Sequence, residues 1–252
     1  MLAPTQRFSS RVENYIRYRP GYPVEVMELL QSECGLNPES VVADIGSGTG
    51  KLTELLLQSG SRVFGVEPNQ EMREAGERLL KSNLRFTSVA ATAEATTLPD
   101  KCADLIVAGQ AFHWFDRERC RAEFLRILKP VGWVALIWND RRTDSTPFLV
   151  AYEALLREFA TDYEQVNHRN IDAEMLRQFF RAEPKLKKFL YVQHFDFAGL
   201  KGRLLSSSYA PELGQPKYDA MKARLRQIFD AHQKGGQVAF NYDTLVYYGQ
   251  LT

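Results

Sequence analysis

With 252 residues, 44% of them hydrophobic and 25% charged, the chain has ordinary globular composition and is long enough for one large α/β core with an elaboration. Its 32 Lys and Arg residues against 31 Asp and Glu leave a net charge of +1, so no global field draws in nucleic acid. The longest apolar stretch, around Trp133 to Trp138, is far short of the roughly 20 residues a membrane helix needs, which argues against a bilayer span.

In chain order, a tract rich in Tyr and Arg, from Tyr15 to Tyr22, precedes an amphipathic helix expected over Val24 to Glu33, whose Val26, Met27, Leu29 and Leu30 suit the edge of a sheet. Val41 to Ile45 is short, β-branched and closed by glycine, which predicts a buried parallel strand, and Lys51 to Gln58 resumes at helical spacing through Leu52, Leu55, Leu56 and Leu57. Further strands are expected near Val63, Phe86, Leu105 and Val134, with helices near Met72 and Phe124 and with Asn69 capping the helix that begins at Gln70. Gly60 and Gly132 read as helix ends. This alternation predicts an α/β doubly wound sheet covered on both faces. After a loop from Asn139 to Pro147, helices are expected over Phe148 to Thr161 and Asp172 to Phe180, forming an insertion over the active site. A strand over Phe189 to Phe197, a helix over Tyr218 to Gln233 and a strand over Val238 to Tyr248 follow.

The segment Asp44-Ile45-Gly46-Ser47-Gly48-Thr49-Gly50 is a strand-to-helix turn. Residues without a Cβ let the chain turn sharply and let a ligand lie against the backbone, while the helix N-terminus beyond offers free N–H groups. The next strand, from Arg62, ends in Glu67, seventeen positions after Gly50 and close to the roughly 20 expected of an acid that accepts hydrogen bonds from ribose hydroxyls. Dinucleotide sites favour G-x-G-x-x-G, whereas this turn is G-x-G-x-G preceded by an acid. Asp44 would be unfavourable beside a pyrophosphate and favourable beside an ammonium or sulfonium group, so the pattern leans towards a cationic nucleoside cofactor.

Through Asp44 to Gly50, Glu67-Pro68-Asn69 and Leu128-Lys129-Pro130-Val131-Gly132, the chain from Tyr15 to Trp138 resembles the class I S-adenosylmethionine-dependent methyltransferases. More narrowly, Tyr18-Arg19-Pro20-Gly21-Tyr22-Pro23, Ala93-Glu94 followed by Leu98-Pro99, Gln110 to Asp116, and Gly202 to Tyr209 resemble the small-molecule group that contains trans-aconitate methyltransferase. The resemblance implies a Rossmann-like seven-stranded sheet with an antiparallel last strand, S-adenosyl-L-methionine as cofactor and a small-molecule acceptor. One domain over 1–252 is expected, with residues 40–138 as cofactor core, 1–35 as N-terminal lid and helix, 139–186 as helical insertion and 187–252 completing the sheet.

By the same resemblance, Gly46, Ser47, Gly48 and Gly50 pass under the methionyl and ribose part of the cofactor, Asp44 attracts its ammonium, Glu67 beside Pro68 holds the ribose hydroxyls, and Gln110 contacts the methionyl end. Thr92 and Ala93, next to Glu94, match the loop at the adenine edge, where the family often carries an acid in place of Thr92. Met72 reads either as an adenine cover or as plain core. His113 reads either as the one group suited to accept a proton near neutral pH or as a packing residue with Trp114 and Phe115. Tyr15, Tyr18, Arg19 and Tyr22 read either as a lid over the cofactor carboxylate or an acidic acceptor or as a surface helix with a snorkelling arginine, and Trp114, Arg203 and Tyr209 as further acceptor contacts.

The four histidines, His113, His168, His194 and His232, show neither zinc spacing nor partnering cysteines, so no metal site is expected. Cys34, Cys102 and Cys120 are scattered and odd in number, and Met1 to Arg7 has no apolar signal core, which favours a cytoplasmic protein. The leading expectation is a small-molecule methyltransferase acting on a carboxylic acid. A nicotinamide-dependent oxidoreductase and a non-catalytic cofactor-binding protein are the alternatives. Neither a membrane nor a nucleic acid is an expected partner.

Overall fold

The computed structural model describes residues 11–161, 163 and 172–251, so the chain start and His168 lie outside the described residues. Seven strands form one sheet in the order β3-β2-β1-β4-β5-β7-β6. β1 (Val41–Ile45), β2 (Arg62–Val66), β3 (Phe86–Val89), β4 (Ala103–Gly109) and β5 (Leu128–Arg141) run parallel, while β7 (Val238–Gly249) lies antiparallel between β5 and β6 (Lys185–Phe195).

The apolar runs in β1, β4 and β5 are continuous because both faces of the sheet are covered. One face takes Ala43, Ile45, Ile106, Ala108, Leu136 and Trp138, under α5 (Arg117–Ile127) and α7 (Ala173–Phe180) through Phe124, Ile127, Phe179 and Phe180. The other takes Val42, Leu105, Val107, Ala135 and Ile137, under α2 (Val24–Cys34) and α3 (Lys51–Leu57). A third cluster unites α6 (Pro147–Phe159), α8 (Phe197–Leu205) and α9 (Tyr218–His232) against Phe195, Val238, Phe240 and Tyr242 of the last two strands. Among the described residues the remaining α-helices are α1 (Val12–Tyr18) and α4 (Gln70–Leu80), and Phe112–Trp114 forms a 3-10 turn. Asn69 caps α4, its side-chain oxygen accepting from the Met72 N–H at 2.8 Å. Among the described residues no helix is long and apolar enough to cross a membrane.

The structure corrects several sequence expectations. Helix α2 packs across the middle of a sheet face, with Val26 and Leu30 fully buried, and not on the sheet edge, which belongs to β3 and β6. Gly132 ends no helix: α5 stops at Ile127 and β5 starts at Leu128, so Gly132 and Asn139 to Arg141 are strand residues. The strand expected over Phe189 to Phe197 starts earlier, at Lys185, and ends at Phe195, because Asp196 caps α8 by accepting from the Gly199 N–H at 2.7 Å. Neither α6 nor α7 lines the cavity described below; each is spent on packing, α6 against α9 and α7 against α5.

Chain order reverses between β1 and β4: β2 and β3 extend the sheet one way, β4 and β5 the other. Open α/β sheets bind ligands in the crevice at the carboxyl ends of such a switch point.

Candidate active site

The turn after β1 is built to bring backbone to the crevice. Gly46 and Gly48 sit at φ +72° and +57°, a region that residues with a Cβ rarely adopt. The N–H groups of Gly46 and Ser47 both donate to Val66 O, at 2.8 and 3.1 Å, which locks the turn onto the end of β2. A Cβ on Gly46 would lie 2.5 Å from the Ala111 Cβ, so the turn closes directly against the segment after β4. Gly46, Ser47 and Gly48 line the cavity at this point.

Two buried carboxylates flank that turn. Glu67, at the end of β2, accepts from the Gly48 N–H at 2.9 Å through Oε2 and from the Asn69 N–H at 2.8 Å through Oε1. Burial raises its pKa, and the Asn69 and Gly48 bonds restrain the rise. Each oxygen keeps a lone pair for a hydroxyl donor. Asp44 is 1% exposed; its Oδ2 accepts from Thr53 Oγ1 at 2.6 Å, while its Oδ1 has no hydrogen-bond partner in the protein. Burial pushes the Asp44 carboxyl up to about 7, with Thr53 pulling it down and Glu67 pushing it further up. A buried oxygen without a donor, on the wall of a cavity, fits a cationic ligand group.

Pro68, Asn69 and Met72 continue the wall beyond Glu67, and Thr92, Ala93 and Glu94 face them. This second loop is held from behind: Glu123 accepts from the Thr96 N–H at 2.7 Å and from Thr96 Oγ1, while Arg126 donates to Glu123 at 2.7 and 2.8 Å. Glu94 accepts from the Asp116 N–H at 2.9 Å and so ties the loop to the segment after β4. In that segment Gln110 adopts φ +58° and points along the cavity wall. Phe112 turns down into the core, 4.7 Å from the Phe179 ring, which leaves His113, Trp114 and Phe115 on the cavity side. The His113 and Trp114 rings lie 4.7 Å apart.

The cavity wall also carries three guanidinium groups, those of Arg19, Arg141 and Arg203, together with the phenols of Tyr15, Tyr163, Tyr209 and Tyr242. Arg141 pairs with Glu153 at 2.5 Å. Arg203, 5% exposed, donates to Tyr242 Oη and Ser207 Oγ, both at 3.2 Å, and Arg19 donates to Ser206 O at 3.1 Å. Among the described residues neither Arg19 nor Arg203 has a carboxylate partner, and Arg19 Nε is buried without an acceptor. Burial and the neighbouring Arg203 lower the Arg19 pKa. Burial opposes ionisation of Tyr209, yet Arg203, Arg19 and Arg141 together hold its pKa below the ordinary phenol value.

Of the sequence-predicted residues, two stand outside the cavity wall. Gly50 caps α3 in a left-handed conformation beneath the turn, and Tyr18 points away from the crevice, its ring pressed against Gly202 of α8. Tyr15 and Arg19, one helical turn apart, are the members of the Tyr and Arg tract that face inward with Tyr22. The sequence reading missed Lys51, Arg141, Tyr163 and Tyr242. Arg141 is the last residue of β5, a strand end that only pairing with β7 fixes, so no local pattern pointed to it.

A methyltransferase domain family matches residues 43–136, which hold the glycine turn, both carboxylates and the segment after β4. An uncharacterised methyltransferase of Schizosaccharomyces pombe is 30% identical over 244 residues, covering 95% of each chain. An uncharacterised methyltransferase of Mycobacterium tuberculosis is 37% identical over 134 residues, which is 53% of this chain and 52% of that one. The fold matches a provisionally named type II methyltransferase from Anaeromyxobacter dehalogenans with a TM-score of 0.67 at 20% identity, over 93% of this chain and 98% of that one. Full-length similarity to a methyltransferase, the strand order and a cation-seeking carboxylate beside the glycine turn converge, and the oxidoreductase alternative falls away: the chain belongs to the class I S-adenosylmethionine-dependent methyltransferases.

Proposed function

We propose that this enzyme methylates a small carboxylic acid on a carboxylate oxygen, giving a methyl ester. The observation that carries this reading is the pair of guanidinium groups, Arg19 and Arg203, that face the cavity with no carboxylate to balance them. Uncompensated cations at a partly buried site are stabilised by an anion, and a guanidinium fork matches a carboxylate in shape as well as charge.

When bound, S-adenosylmethionine supplies an electrophilic methyl group on a sulfonium. The chain's own residues do the rest. Asp44 holds the cofactor ammonium through the free Oδ1, and Glu67 takes the ribose hydroxyls. Met72, with Thr92, Ala93 and Glu94, encloses the base, and Gln110 meets the methionyl end. Trp114 and His113 add apolar and aromatic wall that would exclude water, which leaves alignment of the nucleophile with the methyl group as the main source of rate. A carboxylate is nucleophilic when ionised, so His113 has no proton to remove. Transfer discharges the acid, and the neutral ester no longer suits two guanidinium groups, which favours product release.

A panel of small carboxylic acids offered with tritiated methyl-donor cofactor tests the reading. Radiolabel that mild base releases as methanol is the expected product. Transfer to amines or phenols but to no carboxylic acid would defeat the acceptor assignment while leaving the family assignment intact.

A further inference from the structure

We propose that Arg11 is a positioning residue for methyl transfer, clasping the C-terminal end of α8 so that α1 presents Tyr15 and Arg19 to the cavity. Arg11 lies just ahead of α1 and is 8% exposed. Its Nη1 donates to Ser207 O and, at 3.4 Å, to Leu205 O; its Nη2 donates to Ala210 O at 2.7 Å and meets Glu212 Oε1 at 3.3 Å. Leu205 O is the last carbonyl of α8, Ser207 O and Ala210 O belong to the turn after it, and Glu212 adds a carboxylate, so the guanidinium sits at the negatively polarised end of the helix.

The clasp adds to a short set of contacts. Seven residues are too few for a helix to persist on its own, and of the α1 residues only Val12 is buried, at 8% exposed. Glu13 meets Arg78 of α4 only at 3.9 Å between exposed side chains, and three closer contacts hold the helix among the described residues. Arg19 donates to Ser206 O, again on α8; Lys51 Nζ donates to Ile16 O at 2.8 Å; and the Tyr18 ring fills the notch left by Gly202, where a Cβ would lie 2.0 Å from Tyr18 Cε2. Arg11 thus anchors one end of α1 and Arg19 the other, both on the same short run of carbonyls. Between them Tyr15 and Ile16 pack on Met72, which lines the cofactor side of the cavity. The acceptor arginine Arg203 sits on that same α8, so one clasp sets the cofactor cover and the Arg203 guanidinium relative to each other.

Two variants that loosen α1 from opposite sides test this. Arg11→Ala removes the clasp, and Gly202→Ala displaces Tyr18 with the clasp intact. Binding of S-adenosylhomocysteine by titration calorimetry is expected to weaken about tenfold or more in each, because a cover that must first be ordered taxes the ligand it closes on. Hydrogen exchange should quicken over residues 12–18 while β1 and β4 keep wild-type protection, a split that general destabilisation would not produce. Should Arg11→Ala fail to fold, Arg11→Lys, which keeps the charge but cannot bond several carbonyls at once through a planar fork, takes its place with the same expected loss. A folded variant that binds S-adenosylhomocysteine within twofold of wild type overturns the proposal, as does loss of protection throughout the sheet.

Discussion

Glu67 Oε2 accepts the backbone N–H of Gly48 at 2.9 Å, so the acid that ends β2 is anchored to the turn that follows β1 before any ligand arrives. The carboxylate is therefore held in place, and the role proposed for it would carry little ordering cost. Glu67→Gln keeps the volume but replaces one acceptor oxygen with an amide donor and removes the charge. Affinity for S-adenosylhomocysteine is expected to fall by about ten- to a hundredfold, since a hydrogen bond to a charged group is worth roughly 1.5–3 kcal/mol. Titration calorimetry checks this, and unchanged affinity would remove Glu67 from the site.

If Asp44 holds the cofactor ammonium as proposed, cofactor binding is expected to depend on pH. Its folded-state pKa of about 7 lies above the ordinary carboxylate value, so the folded protein holds the proton more tightly than the unfolded chain does. The ligand-free protein therefore loses stability as pH rises from the ordinary carboxylate range to about 7, with no further loss from this group above that. A ligand ammonium beside Oδ1 favours the ionised form, so binding should release a proton below pH 7 and tighten as pH approaches 7. Calorimetry at pH 6 in two buffers of different ionisation heat measures that proton directly; none released would contradict the contact. Asp44→Asn should melt higher than wild type at pH 8 and yet bind the cofactor more weakly.

Arg203→Met separates the proposed acceptor contacts from the cofactor contacts. The substitution keeps an apolar stem over the Phe240 ring, which lies 5.9 Å from the guanidinium carbon, but removes the charge. The acceptor KM should rise at least about thirtyfold, in line with loss of a charge-assisted pair worth about 2 kcal/mol, while cofactor affinity stays within about twofold. Steady-state kinetics with any acid identified in the panel, together with cofactor titration, gives both numbers. Equal loss of both affinities would mean that Arg203 holds the fold and not the acceptor.

His113→Ala should keep kcat within about threefold of wild type if the nucleophile is an ionised carboxylate, because general-base removal would instead cost on the order of a hundredfold or more. A large fall, accompanied by loss of the acid limb of the pH–rate profile, would assign His113 the role of base and displace the ester reading.

The cavity wall from Asp44 to Glu67 was legible because its signals are local. Asp44 and Glu67 stand at the carboxyl ends of two successive strands with Gly46 and Gly48 in the turn between strand and helix, and such turns demand particular residue types whatever packs around them. The arginine-bearing wall was harder to read. Helix α8 carries Gly199 and Gly202, which weigh against a helix in any local reading, and Gly202 is small because the Tyr18 ring occupies the space. That same contact, between residues far apart in sequence, turns Tyr18 away from the cavity in which the sequence had set it. Arg141 was obscured by where β5 ends: the parallel strand runs on beside β7 past Trp138, a length fixed by pairing with a strand a hundred residues later.

The arginines of the cavity wall come from three separate places, positions 19, 141 and 203, whereas the glycine turn, its flanking acids and the facing loop all fall within one contiguous stretch from Asp44 to Phe115. The two groups of wall residues are therefore encoded in different parts of the chain, and α1, which carries Tyr15 and leads into Arg19, is the element that joins them.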